Sequence, residues 1–184
     1  MHDTQARADL ATAVRQGAGV IPVEKIPEID LYMDQLTTFM EERLKACKRT
    51  DEEKVLTKTM INNYSKDKMI PPSVKKKYAK EHMMALVMIY HLKGVLSISD
   101  IASILSGVDT DTALIDMYEA FVQMQESAAT AAADAIPAAQ ANAETLLPAH
   151  DEKTKALSAA IALALDAAAK KRAAERMLDS LLSE

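Results

Sequence analysis

The sequence predicts an all-α fold, and three observations carry that prediction. The 184 residues include only four glycines, six prolines and 4% aromatic residues, while Ala, Leu, Met, Lys and Glu, which lose little rotamer freedom in a helix, are abundant. Apolar residues recur at intervals of three and four in successive segments, the period of a helix with one buried face. The last 57 residues, from Ala128 onward, contain 21 alanines with Pro137 and Pro148 as the only strong breaks. At 49% hydrophobic residues the chain can bury a real core in one or two small domains.

Residues 1–28, with Arg7, Asp9, Gln16, Gly17 and Gly19 and little periodicity, read as an N-terminal arm, either a loose helix or flexible. From Ile29 the apolar residues Ile29, Met33, Leu36, Met40 and Leu44 share one helical face, in a helix that begins after Pro27 and ends at 47–50. The next helix begins at Thr57, whose hydroxyl can accept a first-turn N–H, and is short because Pro71 and Pro72 cannot continue it. Residues 71–78 then form a tight, lysine-rich extended segment or small wing. A helix over 80–93 faces Met83, Leu86, Val87 and Tyr90 inward and stops near Gly94. Ser97 with Asp100 is a capping box, opening a helix that buries Ile98, Ile101, Ile104 and Leu105. Asp109 caps a longer helix with Leu114, Tyr118, Phe121 and Val122 on one stripe. Beyond Gln125 the alanine-rich region forms long helices that bury little area per residue and need close neighbours. A final helix runs from about Asp151 to Leu182.

Charge is distributed unevenly along the chain. Nine lysines lie between Lys54 and Lys93 against Asp67 and Glu81, a local charge of +7 in a chain whose total is −5, so the remainder carries −12. A phosphate backbone attracts a local field of this kind whatever the total charge. Two helices joined by a short turn, a proline-bounded wing and a further helix give the outline of a winged helix-turn-helix, whose second helix enters the major groove. On the Thr57 helix, Leu56, Met60, Ile61 and Tyr64 pack inward and leave Lys58, Thr59, Asn62, Asn63 and Lys66 facing out. Asn offers adenine a paired donor and acceptor, and lysines suit phosphates or guanine edges. Lys75, Lys76 and Lys77 would touch flanking phosphates from the wing.

The run from Leu56 to Ile101, LTKTMINNYSKDKMIPPSVKKKYAKEHMMALVMIYHLKGVLSISDI, resembles the DNA-binding domain of MerR-type regulators. In that family a Val-Ser-x-x-Thr-Ile-Arg-Tyr-Tyr helix precedes Gly-Leu-Ile-x-Pro, a Tyr-Arg-x-Tyr wing and a Phe-Ser-Leu-x-x-Ile helix. Carried over by position, Ile61 and Tyr64 keep the helix pattern, Met69-Ile70-Pro71 keeps the turn into the wing, and Ser97 to Ile101 matches the last element. Lys76 and Tyr78 stand where the wing has its Arg and second Tyr. The chain departs from the pattern at Asn62, in place of Arg, at Asn63, in place of an aromatic residue, and at Lys68, in place of a glycine. The stretch from Ile29 to Ile101, including IDLYMDQLTTFMEERL, also resembles the bacterial domain of unknown function 1836 family, related to MerR-like proteins. The resemblance implies a MerR-like winged helix-turn-helix over residues 29–106, followed by a helical oligomerisation or sensing region over 107–184.

Other chemistry has little support. His82 and His91 are nine residues apart, too far for side-by-side ligands on one helix, and Cys47 is the sole thiol, so no metal site, disulfide or cofactor is expected. Asp109, Asp111 and Asp116 lack the glycine and terminal glutamate of a calcium loop. With no phosphate loop, nucleophile elbow or paired acid and base, the chain is not expected to be an enzyme. Met33, Met40, Met117 and Met124 can line an apolar effector pocket, although methionine stripes are usually adaptable core. No stretch reaches about 18 uninterrupted apolar residues and no signal segment is evident, so no membrane association and a cytoplasmic location are expected. The expected function is a DNA-binding transcriptional regulator. Its expected partners are double-stranded DNA, a second copy of the chain through the C-terminal helices, and a small-molecule effector. The rival is a non-enzymatic protein-interaction adaptor that keeps the helix-turn-helix scaffold without using DNA.

Overall fold

The computed structural model describes residues 2–108 and 110–182. Among these the chain forms seven α-helices, α1 (His2–Gln16), α2 (Met33–Leu44), α3 (Lys58–Lys66), α4 (Lys80–Leu92), α5 (Ile98–Ser106), α6 (Asp111–Leu146) and α7 (Glu152–Leu182). The two short strands β1 (Leu31–Tyr32) and β2 (Lys77–Tyr78) pair antiparallel, Leu31 opposite Tyr78 and Tyr32 opposite Lys77. The fold is therefore mostly helical, as the composition requires. It divides into two compact units, residues 17–126 and residues 2–16 with 127–182, with α6 contributing to both.

The first unit is built around α4. His82 to Ile89 are all buried, because this run carries no charge between Glu81 and Lys93 and can be enclosed on every side. Around it stand Leu36, Met40 and Leu44 from α2, Ile61 and Tyr64 from α3, Ile101 from α5, and Tyr118 and Phe121 from α6. The inward face expected from Met83, Leu86 and Val87 is thus too narrow, since Met84, Ala85, Met88 and Ile89 are buried as well, while Tyr90 is half-buried.

The unit is wider than residues 29–106. Ile21 and Ile26, from the stretch expected as an arm, are 2% exposed and belong to the same core. The Tyr118 hydroxyl, buried on α6, donates to the Ile21 carbonyl at 2.8 Å, and the Gln125 side-chain amide donates to Ala18 O at 3.2 Å. Gly19 makes the entry, with φ +60° and a position where any Cβ would overlap Cys47 Sγ. Residues 2–16 form the helix α1, one of the two expected alternatives, and residues 2–16 and 17–28 fall in different units.

Several local expectations hold and others shift. Thr57 Oγ1 accepts Met60 N–H at 3.2 Å and Ser97 Oγ accepts Asp100 N–H at 3.1 Å, so both caps form. Asp109 lies outside the described residues, and Thr110 Oγ1 accepts Ala113 N–H at 3.1 Å at the start of α6. Ile29 is 70% exposed, because the chain is extended at Leu31–Tyr32 and α2 begins only at Met33. Ile98, in the first turn of α5, is also exposed.

In the second unit, Pro137 sits inside α6 and does not end it. A proline there removes one backbone hydrogen bond and costs about 3 kcal/mol. The helix continues because Ala133, Ile136, Ala139 and Ala143 form a buried stripe on both sides of the proline. Ala139 and Ala143 meet Ala159 and Leu163 of α7, small residues that let backbones approach closely. Lys155 Nζ bridges Glu144 on α6 at 2.8 Å, and Arg15 on α1 pairs with Asp134 at 3.1 Å.

Candidate nucleic-acid interface

α3 is a short helix fixed at both ends. Thr57 caps its start, and its end closes in a left-handed turn: Lys68, at φ +58°, donates to Ser65 O at 3.2 Å, and Met69 N–H donates to Tyr64 O at 2.9 Å. These two bonds are a Schellman motif, which favours glycine at the left-handed position because a Cβ there is crowded. Leu56, Ile61 and Tyr64 are buried and Met60 is half-buried, while Lys58, Thr59, Asn62, Asn63 and Lys66 are exposed, as the periodicity predicts.

The lysine-rich segment expected as a wing contains a two-residue hairpin turn. Val74 N–H donates to Lys77 O at 3.1 Å and Lys77 N–H to Val74 O at 2.9 Å, while Lys75 and Lys76 between them have φ +51° and +65°. Two consecutive left-handed residues suit the right-handed twist of the flanking strands, but Asn-Gly adopts this turn more readily than Lys-Lys. Each non-glycine residue held there costs about 1 kcal/mol. The hairpin therefore presents two exposed ammonium groups at its tip under backbone strain.

Tyr78 does not belong to this surface. It is 5% exposed, and its ring meets His82 edge-on at 5.6 Å. Successive side chains on a strand point to opposite faces, so a half-exposed Lys77 puts Tyr78 in the core. His82 is a structural residue too, with Nδ1 accepting Ala79 N–H at 3.1 Å.

Two residues that the sequence did not offer tie α3 to the hairpin. Tyr32 precedes the first turn of α2, and its ring lies 5.2 Å from Lys77 Nζ. Asp34, two residues on, forms an ion pair with Lys58 at the start of α3. The beginning of α2 thus touches both α3 and the base of the hairpin. Nothing local in the sequence signals this, since the partners are 24 and 45 positions away.

The positive field is also thinner than the lysine count suggests. Lys80 pairs with Glu28. Lys93 donates to Val55 O at 3.2 Å and lies over the Tyr90 ring, with burial pushing its pKa down. Lys66, Lys68, Lys75 and Lys76 make no ion pair among the described residues and remain exposed.

Among the described residues no group of three or more His, Cys, Asp or Glu could hold a metal ion. Cys47 is half-buried, and desolvation pushes its thiol pKa up, away from the reactive thiolate. Met40 is fully enclosed whereas Met124 is 60% exposed, so the four methionines do not line one pocket. No helix among the described residues is long and apolar enough to cross a membrane.

Comparison with the curated proteins gives no match, and comparison with the solved structures gives none either. A family model does match, over residues 21–121, and its span agrees closely with the compact unit at 17–126. The chain belongs to the family described as Domain of unknown function (DUF1836).

Proposed function

We propose that the protein is a DNA-binding transcriptional regulator of the MerR-like winged helix-turn-helix type, acting as a homodimer through its C-terminal helices. The observation that carries this is the joint exposure of one α3 face, with Thr59, Asn62, Asn63 and Lys66, and of a hairpin tip with Lys75 and Lys76. Tyr32, just before α2, meets Lys77 at the base of the hairpin, and Asp34, in the first turn of α2, pairs with Lys58 at the start of α3.

In this mechanism α3 lies in the major groove. Asn62 and Asn63 meet base edges, where a carboxamide can pair with adenine, and Lys66 meets a phosphate. Lys75 and Lys76 contact the flanking backbone. Lys58 contributes less, because it must exchange Asp34 for a phosphate. A second copy doubles the half-sites and multiplies affinity. On α7, Leu157, Ile161 and Leu165 recur one turn apart and are exposed, a stripe suited to a partner helix.

Fluorescence anisotropy of the full chain on a labelled random-sequence duplex tests the proposal. With about six phosphate contacts per complex, affinity should fall roughly a thousandfold between about 50 and 200 mM salt. Replacing Lys75 and Lys76 with Ala should weaken binding with helicity and oligomeric state unchanged. No binding at the lower salt, or binding insensitive to salt, overturns the proposal. Loss of protein-partner capture alone on the same substitution would favour the adaptor.

A further inference from the structure

Against the C-terminal end of α3 lies a cavity of about 380 Å³ that the DNA reading leaves unused. Its apolar walls include Ile70 and Pro71, which lead into the hairpin, Leu105 at the end of α5 and Leu114 near the start of α6. Its two charged lining residues are Lys68 and Glu81. Glu81 is half-buried in the first turn of α4, where the helix dipole favours a carboxylate. Yet its carboxylate has no hydrogen-bond or ion-pair partner among the described residues, and neither has the Lys68 ammonium.

Two opposite charges that line one cavity without closing on each other match a ligand carrying both complements. An ammonium would face Glu81, a carboxylate would face Lys68, and an apolar body would fill the space against Leu105 and Leu114. The volume is at the lower end of small-molecule sites and suits one small molecule. Lys68, an exposed residue, reaches the cavity from the left-handed position that closes α3.

We propose that this cavity is a binding site for a small amphipathic zwitterion of the free α-amino acid class with an apolar side chain. Contact with Lys68 and Ile70 would load the end of α3 and the lead into the hairpin, so occupancy would change DNA affinity. That consequence rests on the proposed function, whereas the binding itself does not.

The test uses the full chain with methyl-labelled methionine, read by NMR at Met69, a buried residue of the cavity lining whose signal Met69→Leu assigns. The probes are L-leucine and L-phenylalanine, with isocaproate lacking the ammonium and isoamylamine lacking the carboxylate. A saturable shift of the Met69 methyl with an amino acid at millimolar concentration is expected. It should weaken about tenfold with either single-charge probe, and about tenfold in Glu81→Gln and in Lys68→Gly. Lys68→Gly relieves backbone strain, so its effect on binding is not a folding defect. No saturable shift with either amino acid, or a shift indifferent to both substitutions, overturns the site. Duplex affinity measured with saturating L-leucine separates the two claims. A changed Kd supports the coupling, and an unchanged Kd alongside demonstrated binding overturns the coupling alone.

Discussion

At the scale of single residues, the backbone at Lys68 allows a sharp test. A glycine at φ +58° avoids the Cβ crowding but brings a more flexible unfolded chain, so the two effects partly cancel. Lys68→Gly should raise stability by about 0.5–1 kcal/mol, seen as a higher urea midpoint with an unchanged slope. His91 gives the opposite kind of effect. Its ring is packed 5.2 Å from Tyr90 and 5.9 Å from Phe121, and its buried Nε2 has no hydrogen-bond partner among the described residues. Desolvation lowers its pKa below the ordinary 6.5, only partly offset by the Gly19 backbone. Above pH 6.5 the ring is neutral in folded and unfolded chains alike. As the pH falls through 6.5 the unfolded chain takes up a proton that the folded one refuses, so stability declines until the lowered pKa is reached. The urea midpoint should therefore drop as the pH falls through 6.5, and His91→Gln should flatten that drop. Glu41, whose carboxyl is held low chiefly by its hydrogen bond from Lys48, contributes in a separate window. Its stabilisation is full above 4.5 and is lost at more acidic pH.

At the scale of elements, the hairpin separates stability from function. Lys75→Asn with Lys76→Gly supplies the residues that the turn favours, and should stabilise the protein by about 1 kcal/mol. On the proposed function it should also weaken duplex binding by roughly tenfold or more at low salt, since two phosphate contacts are removed. A variant that is more stable and binds as well as before would mean the strained lysines are not phosphate contacts. What the sequence revealed at this scale was what is local. Thr57 and Ser97 with Asp100 act through neighbours three residues away, so their caps were readable, as was the exposed face of α3, whereas the helix stops at the Lys68 turn before Pro71-Pro72 are reached. The resemblance places Tyr78 among the wing contacts, although packing is the commoner role for such a tyrosine, and its pairing with Leu31, 47 positions away, is what turns it inward. Pro137 misled for the complementary reason: its local cost is real, but the buried stripe from Ala133 to Ala143 outweighs it. The Asp34–Lys58 pair shows the same limit at the candidate site, where a lysine counted as free is already held.

At the scale of the whole molecule, the core determines where the folding unit ends, and composition does not. The shift to alanine after Gln125 lies close to the end of the compact unit at 126, but the sequence patterns separated the long helix from the unit it helps to fill. Residues 29–106 alone would lack Ile21, Ile26, Tyr118 and Phe121, four core side chains. At about 1.5–3 kcal/mol for each fully buried large side chain, their loss approaches the 5–15 kcal/mol that holds an ordinary domain together. A fragment of residues 17–126 should therefore unfold cooperatively in urea with near-native helicity, and a fragment of residues 29–106 should show no cooperative transition. Within the longer fragment, Tyr118→Phe keeps the ring but leaves the Ile21 carbonyl without its 2.8 Å donor, and should cost about 1 kcal/mol. If the shorter fragment folds as stably as the longer one, the segment before Ile29 and the start of α6 are coverings of the core. If it does not, they are parts of it, and the strained hairpin and α3 owe their placement to residues well outside the helix-turn-helix pattern.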